Sequence, residues 1–341
     1  MWTLFQRVKQ THSIAEVAKL LNVAPGTVSR WNVQQNVPES YRFDLMKLAG
    51  EEIDYSQFSA KDKDQFFTPT NVAKHCMEIV MTVLEENGID IENYIFVEPS
   101  AGSGNFLSYI PSNQLIAMDV EPMNEDVIKQ DFLDWKDYDS SKKYIVVGNP
   151  PFGLRGQKAL QFINKSLEFA DFVCFILPPL FNSDGKGSPK KRIDANLIFS
   201  EDITSNAYLY PSGETVNINT IFQIWTKMDL GLNLNESYTP VGYKIYSLSD
   251  GGTPSSTRNK DKLYECDYYL PSTVFGEDKM KLYDNFESLP QRRGYGIIVE
   301  DKAINSIIDN IKWNEVAFYS TNNAINLRTS LIVKAIETKK V

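Results

Sequence analysis

The sequence predicts an α/β protein with a mostly parallel sheet, and three observations point there. Short apolar runs at Tyr94 to Val97, Gln114 to Met118, Tyr144 to Val147 and Phe172 to Leu177 are separated by helix-compatible or loop sequence, the rhythm of parallel strands joined by crossovers. The run Ile218 to Trp225 alternates with a period of two, which fits a late antiparallel strand. A glycine-rich turn, Pro99 to Gly104, follows the first run directly, at the strand end where open parallel sheets hold ligands.

Ahead of the sheet, residues 11 to 35 carry two short amphipathic periods. Ile14, Val17, Ala18 and Leu21 form the first and Val28 with Trp31 the second, with Asn22 to Gly26 between them. The pattern resembles a helix-turn-helix of the phage-repressor type. Asn22 tolerates the left-handed conformation that the turn needs, and Pro25 suits the first turn of a helix. Thr27, Ser29 and Arg30 would then face outward on the recognition helix, where base edges or phosphates are met. Val37 to Leu48 reads as a closing helix, and Gly50 to Asp64 as a polar linker.

With 341 residues, 42% of them apolar, the chain can fill more than one core. The expected division is a helix-turn-helix domain at 1–55, an α/β domain at 56–230, and a small α+β region at 231–341 that is the candidate for target recognition. Ser247 to Lys262, rich in Ser, Gly, Thr and charge, marks the change of texture. No run approaches the roughly 18 apolar residues of a membrane span, and the start lacks a signal-peptide layout, so a cytoplasmic location is expected. Cys76, Cys174 and Cys266 are far apart, and His12 and His75 are the only histidines. Neither a zinc cluster nor imidazole-centred catalysis is expected.

The net charge of −9 is unevenly spread: residues 1–50 carry +3 and 251–341 carry +1, leaving about −13 between them. Both ends are thus compatible with a polyanion, which is bound largely through Lys and Arg. Lys186, Lys190, Lys191 and Arg192 form a basic loop that could meet phosphates or simply be solvated.

The chemistry centres on Asn149-Pro150-Pro151-Phe152, at the end of the third apolar run. The nitrogen of a heteroaromatic amine is a poor nucleophile because its lone pair is delocalised. The Asn149 side-chain oxygen and the Pro150 carbonyl can accept its two hydrogens and favour a more tetrahedral nitrogen. The prolines stiffen the turn, and Phe152 can stack on an extruded base. In the glycine turn, Glu98, Pro99, Ser100, Gly102, Gly104 and Asn105 allow a ligand to approach backbone, and Asn105 and Phe106 are expected to begin the next helix. Asp119, ending the second run, can accept from ribose hydroxyls; Asp131 and Phe132 can meet an adenine amino group and face.

In that order these motifs resemble the S-adenosylmethionine-dependent adenine-N6 DNA methyltransferases of gamma arrangement. Asp64 to Pro69, with Phe67, Thr68 and Pro69, is similar to the segment that closes over the methionine part of the cofactor. The resemblance covers roughly residues 62 to 228 and implies a Rossmann-like methyltransferase sheet with S-adenosyl-L-methionine as cofactor. It also implies direct methyl transfer without a metal or covalent enzyme intermediate, and double-stranded DNA as partner. A separate restriction endonuclease is a conceivable companion, or the enzyme acts alone. An RNA adenine-N6 methyltransferase is the alternative, because RNA enzymes can carry the same tetrapeptide.

Overall fold

The computed structural model describes every residue except 61, 64, 184–187, 204–206, 236–237, 254–255, 277, 321–323 and 341. Asp64 and Lys186, named above, lie outside the described residues. The chain forms two compact units. The first comprises Met1–Ile79, Asp90–Ala170 and Tyr208–Val216; the second comprises Val80–Ile89, Asp171–Ala207 and Asn217–Val341.

The first unit begins with helices α1 (Trp2–Thr11), α2 (Ile14–Leu20), α3 (Pro25–Gln34) and α4 (Arg42–Leu48). Ser13 and Glu16 start α2 as a reciprocal capping box, each side chain bonded to the other's backbone N–H. Asn22 takes φ +53° in the turn before α3, and Pro25 opens α3, as their chemistry suggests. Phe5, Val8, Val17, Ala18, Leu21, Val28, Trp31, Tyr41 and Leu45 form one buried cluster among these helices. Residues 50–64 are polar in composition, yet they do more than link. The rings of Tyr55 and Phe58 lie 5.3 and 4.8 Å from the ring of Phe43 in α4.

After α5 (Thr70–Glu86) come β1 (Tyr94–Glu98), β2 (Leu115–Asp119), β3 (Ile128–Lys129) and β4 (Lys143–Gly148). They pair in the order β3-β2-β1-β4, all parallel. Val97 lies opposite Ile116 on one side and Val146 on the other. The chain thus runs outward from β1 through β2 to β3, then returns to the opposite side of β1 as β4. Such a reversal opens a crevice at the strands' carboxyl ends. Helix α6 (Gln157–Ser166) follows β4.

The strands after α6 are β5 (Phe172–Leu177), β6 (Asn196–Ile203), the paired β7 (Ala207–Leu209) and β8 (Thr215–Asn217), and β9 (Thr220–Thr226). In the second unit β9 lies antiparallel between β5 and β6, which is the late antiparallel strand anticipated at 218–225. Every residue of β5 and β9 is buried, so both faces are covered, and the strands read as continuous apolar runs.

The same unit contains an antiparallel sheet of β10 (Tyr243–Ser249), β11 (Tyr268–Pro271) and β13 (Arg293–Val299), in the order β10-β13-β11. A second small sheet joins β12 (Thr273–Val274), β14 (Phe318–Tyr319) and β15 (Ile325–Asn326). Helices α7 (Ala303–Asp309), α8 (Trp313–Val316) and α9 (Thr329–Glu337) contribute Ile304, Ile308, Trp313, Ile332 and Ile336 to a core shared with Leu270 and Ile297. The class is α/β, with a Rossmann-like parallel arrangement and an α+β C-terminal part, as expected from the sequence.

Candidate active site

Three strand ends build the site. β1 ends in Glu98, β2 in Asp119 and β4 in Gly148, so two carboxylates and the loop that carries Asn149 emerge on one edge. The turn after β1 is held by Asp119, whose two oxygens accept from Gly102 N–H at 2.9 Å and Glu121 N–H at 2.8 Å. Gly102 sits at φ +51°, and a Cβ there would meet the Phe67 ring at 3.3 Å. Glycine therefore serves both conformation and clearance. From the sequence a helix is expected to start at Asn105 and Phe106. Only a 3-10 turn forms, Leu107–Tyr109, and Ile110 is already extended ahead of Pro111, a residue that disfavours helical geometry before it.

Asn149 is fixed from two directions. Its Nδ2 donates to Thr68 Oγ1 at 3.1 Å, and its backbone carbonyl accepts from Ser100 Oγ at 3.2 Å. With the amide nitrogen so engaged, Oδ1 is left buried with no hydrogen-bond partner. The Thr68 segment is anchored in turn: Asn105 Nδ2 donates to Thr68 O at 2.5 Å, and Phe67 exchanges backbone hydrogen bonds of 2.7 and 3.1 Å with Leu209.

A cavity of about 190 Å³ opens beside these groups, far beyond the ~10–15 Å³ that admits one water. Of the residues singled out in the sequence, Phe67, Pro99, Ser100, Gly102, Asp119, Asp131, Phe132, Asn149 and Pro151 line it. Thr68, Pro69, Glu98, Gly104, Asn105, Pro150 and Phe152 do not. Phe152 is half-buried outside the lining. Phe132 is 1% exposed, with its ring 5.3 Å from that of Phe162. Besides Asn149, Gln65 and Gln161 each bring a buried, unpartnered side-chain oxygen to the cavity wall. A wall of unsatisfied acceptors suits a ligand rich in N–H donors.

Electrostatics sharpen the picture. Burial, and then the neighbouring Asp119, hold the Glu98 carboxyl well above the usual carboxylate range; Glu98 Oε2 also lacks a partner. Burial raises Asp119 as well, against the lowering effect of its two backbone N–H donors. A cation placed beside these carboxyls would oppose the effect of burial and favour their ionised form.

Sequence reasoning missed one wall altogether. Ser40, Tyr41, Phe43, Asp44 and Tyr55, all from the first 55 residues, line the same cavity. Lys47 Nζ lies 3.0 Å from Asp131 Oδ2 and 2.5 Å from Asp134 Oδ2, and Lys158 Nζ lies 2.6 Å from Asp44 Oδ1. Tyr55 and Phe58, aromatic residues in an otherwise polar stretch, were the one legible hint, since an unattached linker has no reason to carry aromatics. Lys47 gives no local signal.

Among the residues anticipated to meet DNA, Ser29 and Arg30 are exposed and Thr27 is half-buried. In the second unit Lys191 is exposed, Arg192 is half-buried and Lys190 is only 8% exposed, so one side chain of that trio stands in solvent. Of the arginines in the region expected to recognise the target, 231–341, Arg258, Arg292 and Arg293 are exposed and Arg328 is half-buried. Among the described residues no helix is long and apolar enough to cross a membrane, and no group of three or more His, Cys, Asp or Glu is placed to hold a metal.

No family model and no curated protein matches the chain. Among solved structures, it is similar to a candidate RNA methyltransferase from Pyrococcus horikoshii, at 18% identity and TM-score 0.35, over 48% of this chain and 88% of that one. A candidate class I S-adenosylmethionine-dependent methyltransferase from Listeria monocytogenes aligns at 13% identity and TM-score 0.37, over 68% and 90%. The Type IIL restriction-modification enzyme MmeI, in complex with DNA, aligns at 8% identity and TM-score 0.44, over 88% and 71%.

Proposed function

We propose that the protein is an S-adenosylmethionine-dependent methyltransferase that methylates N6 of an adenine extruded from double-stranded DNA. The observation that carries this reading is the orientation of Asn149. Its amide nitrogen is committed to Thr68, so its buried oxygen is free to accept from an amine.

The residues of the cavity fit the cofactor. Asp119, at the end of β2, has lone pairs left for ribose hydroxyls; Asp131 and Phe132 suit an adenine; the Gly102 backbone gives close approach. When bound, S-adenosylmethionine supplies a methyl group already activated on a sulfonium. Asn149 Oδ1 and the Pro150 carbonyl accept the two hydrogens of the target amine and favour its tetrahedral form. Phe152 stacks on the extruded base, and Pro150 and Pro151 keep that geometry stiff. The protein's contribution is position and electrostatic complementarity. Ser29 and Arg30 on α3, with residues 231–341 as target-recognition candidate, supply the contacts to duplex.

The test is incubation with methyl-labelled S-adenosylmethionine and, separately, duplex DNA, single-stranded DNA and RNA, followed by nucleoside analysis. N6-methyladenine in DNA, lost in Asn149→Ala, is the expected result. Methylated RNA with untouched DNA would move the enzyme to the RNA class.

A further inference from the structure

The cavity wall contributed by the first 55 residues has no part in the site as read from the motifs. Asp131 is the residue with which that reading meets the adenine amino group, and its carboxylate is not free to turn. Oδ1 accepts from Leu133 N–H at 2.9 Å, capping the 3-10 turn Phe132–Asp134, while Oδ2 accepts from Lys47 Nζ at 3.0 Å. Lys47 lies in the last turn of α4 and also pairs with Asp134. Burial pulls the Lys47 ammonium down, but the Asp134 and Asp131 carboxylates outweigh it and hold its pKa above the ordinary lysine value. Two turns of α4 are tied down, because Asp44 pairs with Lys158 of α6. Phe43 and Tyr55 complete the same wall, with rings 5.3 Å apart.

We infer that Lys47 is a positioning residue for the cofactor's adenine, holding the Asp131 carboxylate so that its remaining lone pairs accept from the 6-amino group. The inference rests on the proposed cofactor, and it makes the N-terminal module a structural part of the cofactor site as well as a candidate DNA reader. Asp131 without Lys47 keeps its cap but loses its second anchor, so it should bind the amino group less well and leave the rest of the cofactor unaffected.

The experiment measures dissociation constants of the full chain for S-adenosylhomocysteine and for the same compound lacking the 6-amino group. The wild type is expected to prefer the amino compound by about tenfold or more, as one charge-assisted hydrogen bond would give. Lys47→Met should weaken the amino compound by roughly that factor and leave the other unchanged, so the preference collapses. Lys47→Arg should restore most of it, and Lys47→Gln provides a second neutral variant if Lys47→Met folds poorly. Equal weakening of both compounds, or no change in either, overturns the positioning role while leaving the cofactor assignment intact. Failure of the wild type to bind S-adenosylhomocysteine at all overturns the cofactor assignment, and this role with it.

Discussion

Asn149 Nδ2 donates to Thr68 Oγ1 across 81 positions of sequence, at 3.1 Å. A threonine thereby sets which end of the asparagine amide is left without a partner. Thr68→Val removes that acceptor and releases the amide to rotate. Turnover in the labelled-methyl assay should fall on the order of 5- to 10-fold, the equivalent of one ordinary hydrogen bond. Cofactor affinity should barely change, and Thr68→Ser should retain most activity.

Asp119 holds the glycine turn through two backbone N–H groups. Asp119→Ala strands both donors, each at a cost of about 1–3 kcal/mol when buried. Urea unfolding should show a lower midpoint, and calorimetry should show cofactor affinity reduced tenfold or more. Asp119→Asn, which can satisfy one donor but not both, should fall between.

Glu98 carries a pH signature. Its folded pKa lies above its unfolded value because of burial and then Asp119. The stabilising contribution is therefore fully present below the unfolded carboxylate range and is lost as pH rises through the folded pKa. The melting temperature of the ligand-free protein should fall as pH climbs from about 4.5, and Glu98→Gln should flatten that slope. Because a cationic ligand favours the carboxylate, S-adenosylmethionine binding should release a proton, seen as a buffer-dependent heat that Glu98→Gln abolishes.

Gly153 follows Phe152 at φ +66°, and a Cβ there would stand 2.7 Å from Lys158 Cβ and 2.9 Å from Lys158 N. Gly153→Ala must distort either the loop after Asn149–Phe152 or the start of α6. A loss of about 1–3 kcal/mol of stability is expected, with a fall in turnover that exceeds the fall in cofactor affinity. Gly26 is the control, because a Cβ added there would meet nothing within 4 Å and its φ is not positive. Gly26→Ala should leave turnover and cofactor affinity unchanged.

The legible parts of the sequence were those whose chemistry is local. β1, β4 and β5 announce themselves as apolar runs because strands buried on both faces need no polar alternation. Asp119 and Asn149 are legible because one ends a strand and the other directly follows one, at the carboxyl edge of the parallel sheet. The helix expected after the glycine turn failed because Pro111 leaves too short a stretch after Gly104 for one to form. The N-terminal wall was hidden for another reason: Lys47 and Asp131 are 84 residues apart, and no periodicity or turn grammar encodes a contact at that separation.

The bridge between Phe67 and Leu209 spans 142 positions, and its consequence concerns synthesis. A ribosome adds roughly 5–20 residues per second, so the front of the cavity waits on the order of ten seconds for its partner strand to emerge. The glycine turn and the Asn149 loop precede Leu209 in the chain and can settle first. A nascent chain halted before residue 209 would hold the rear of the site without the backbone pairing that seats Phe67.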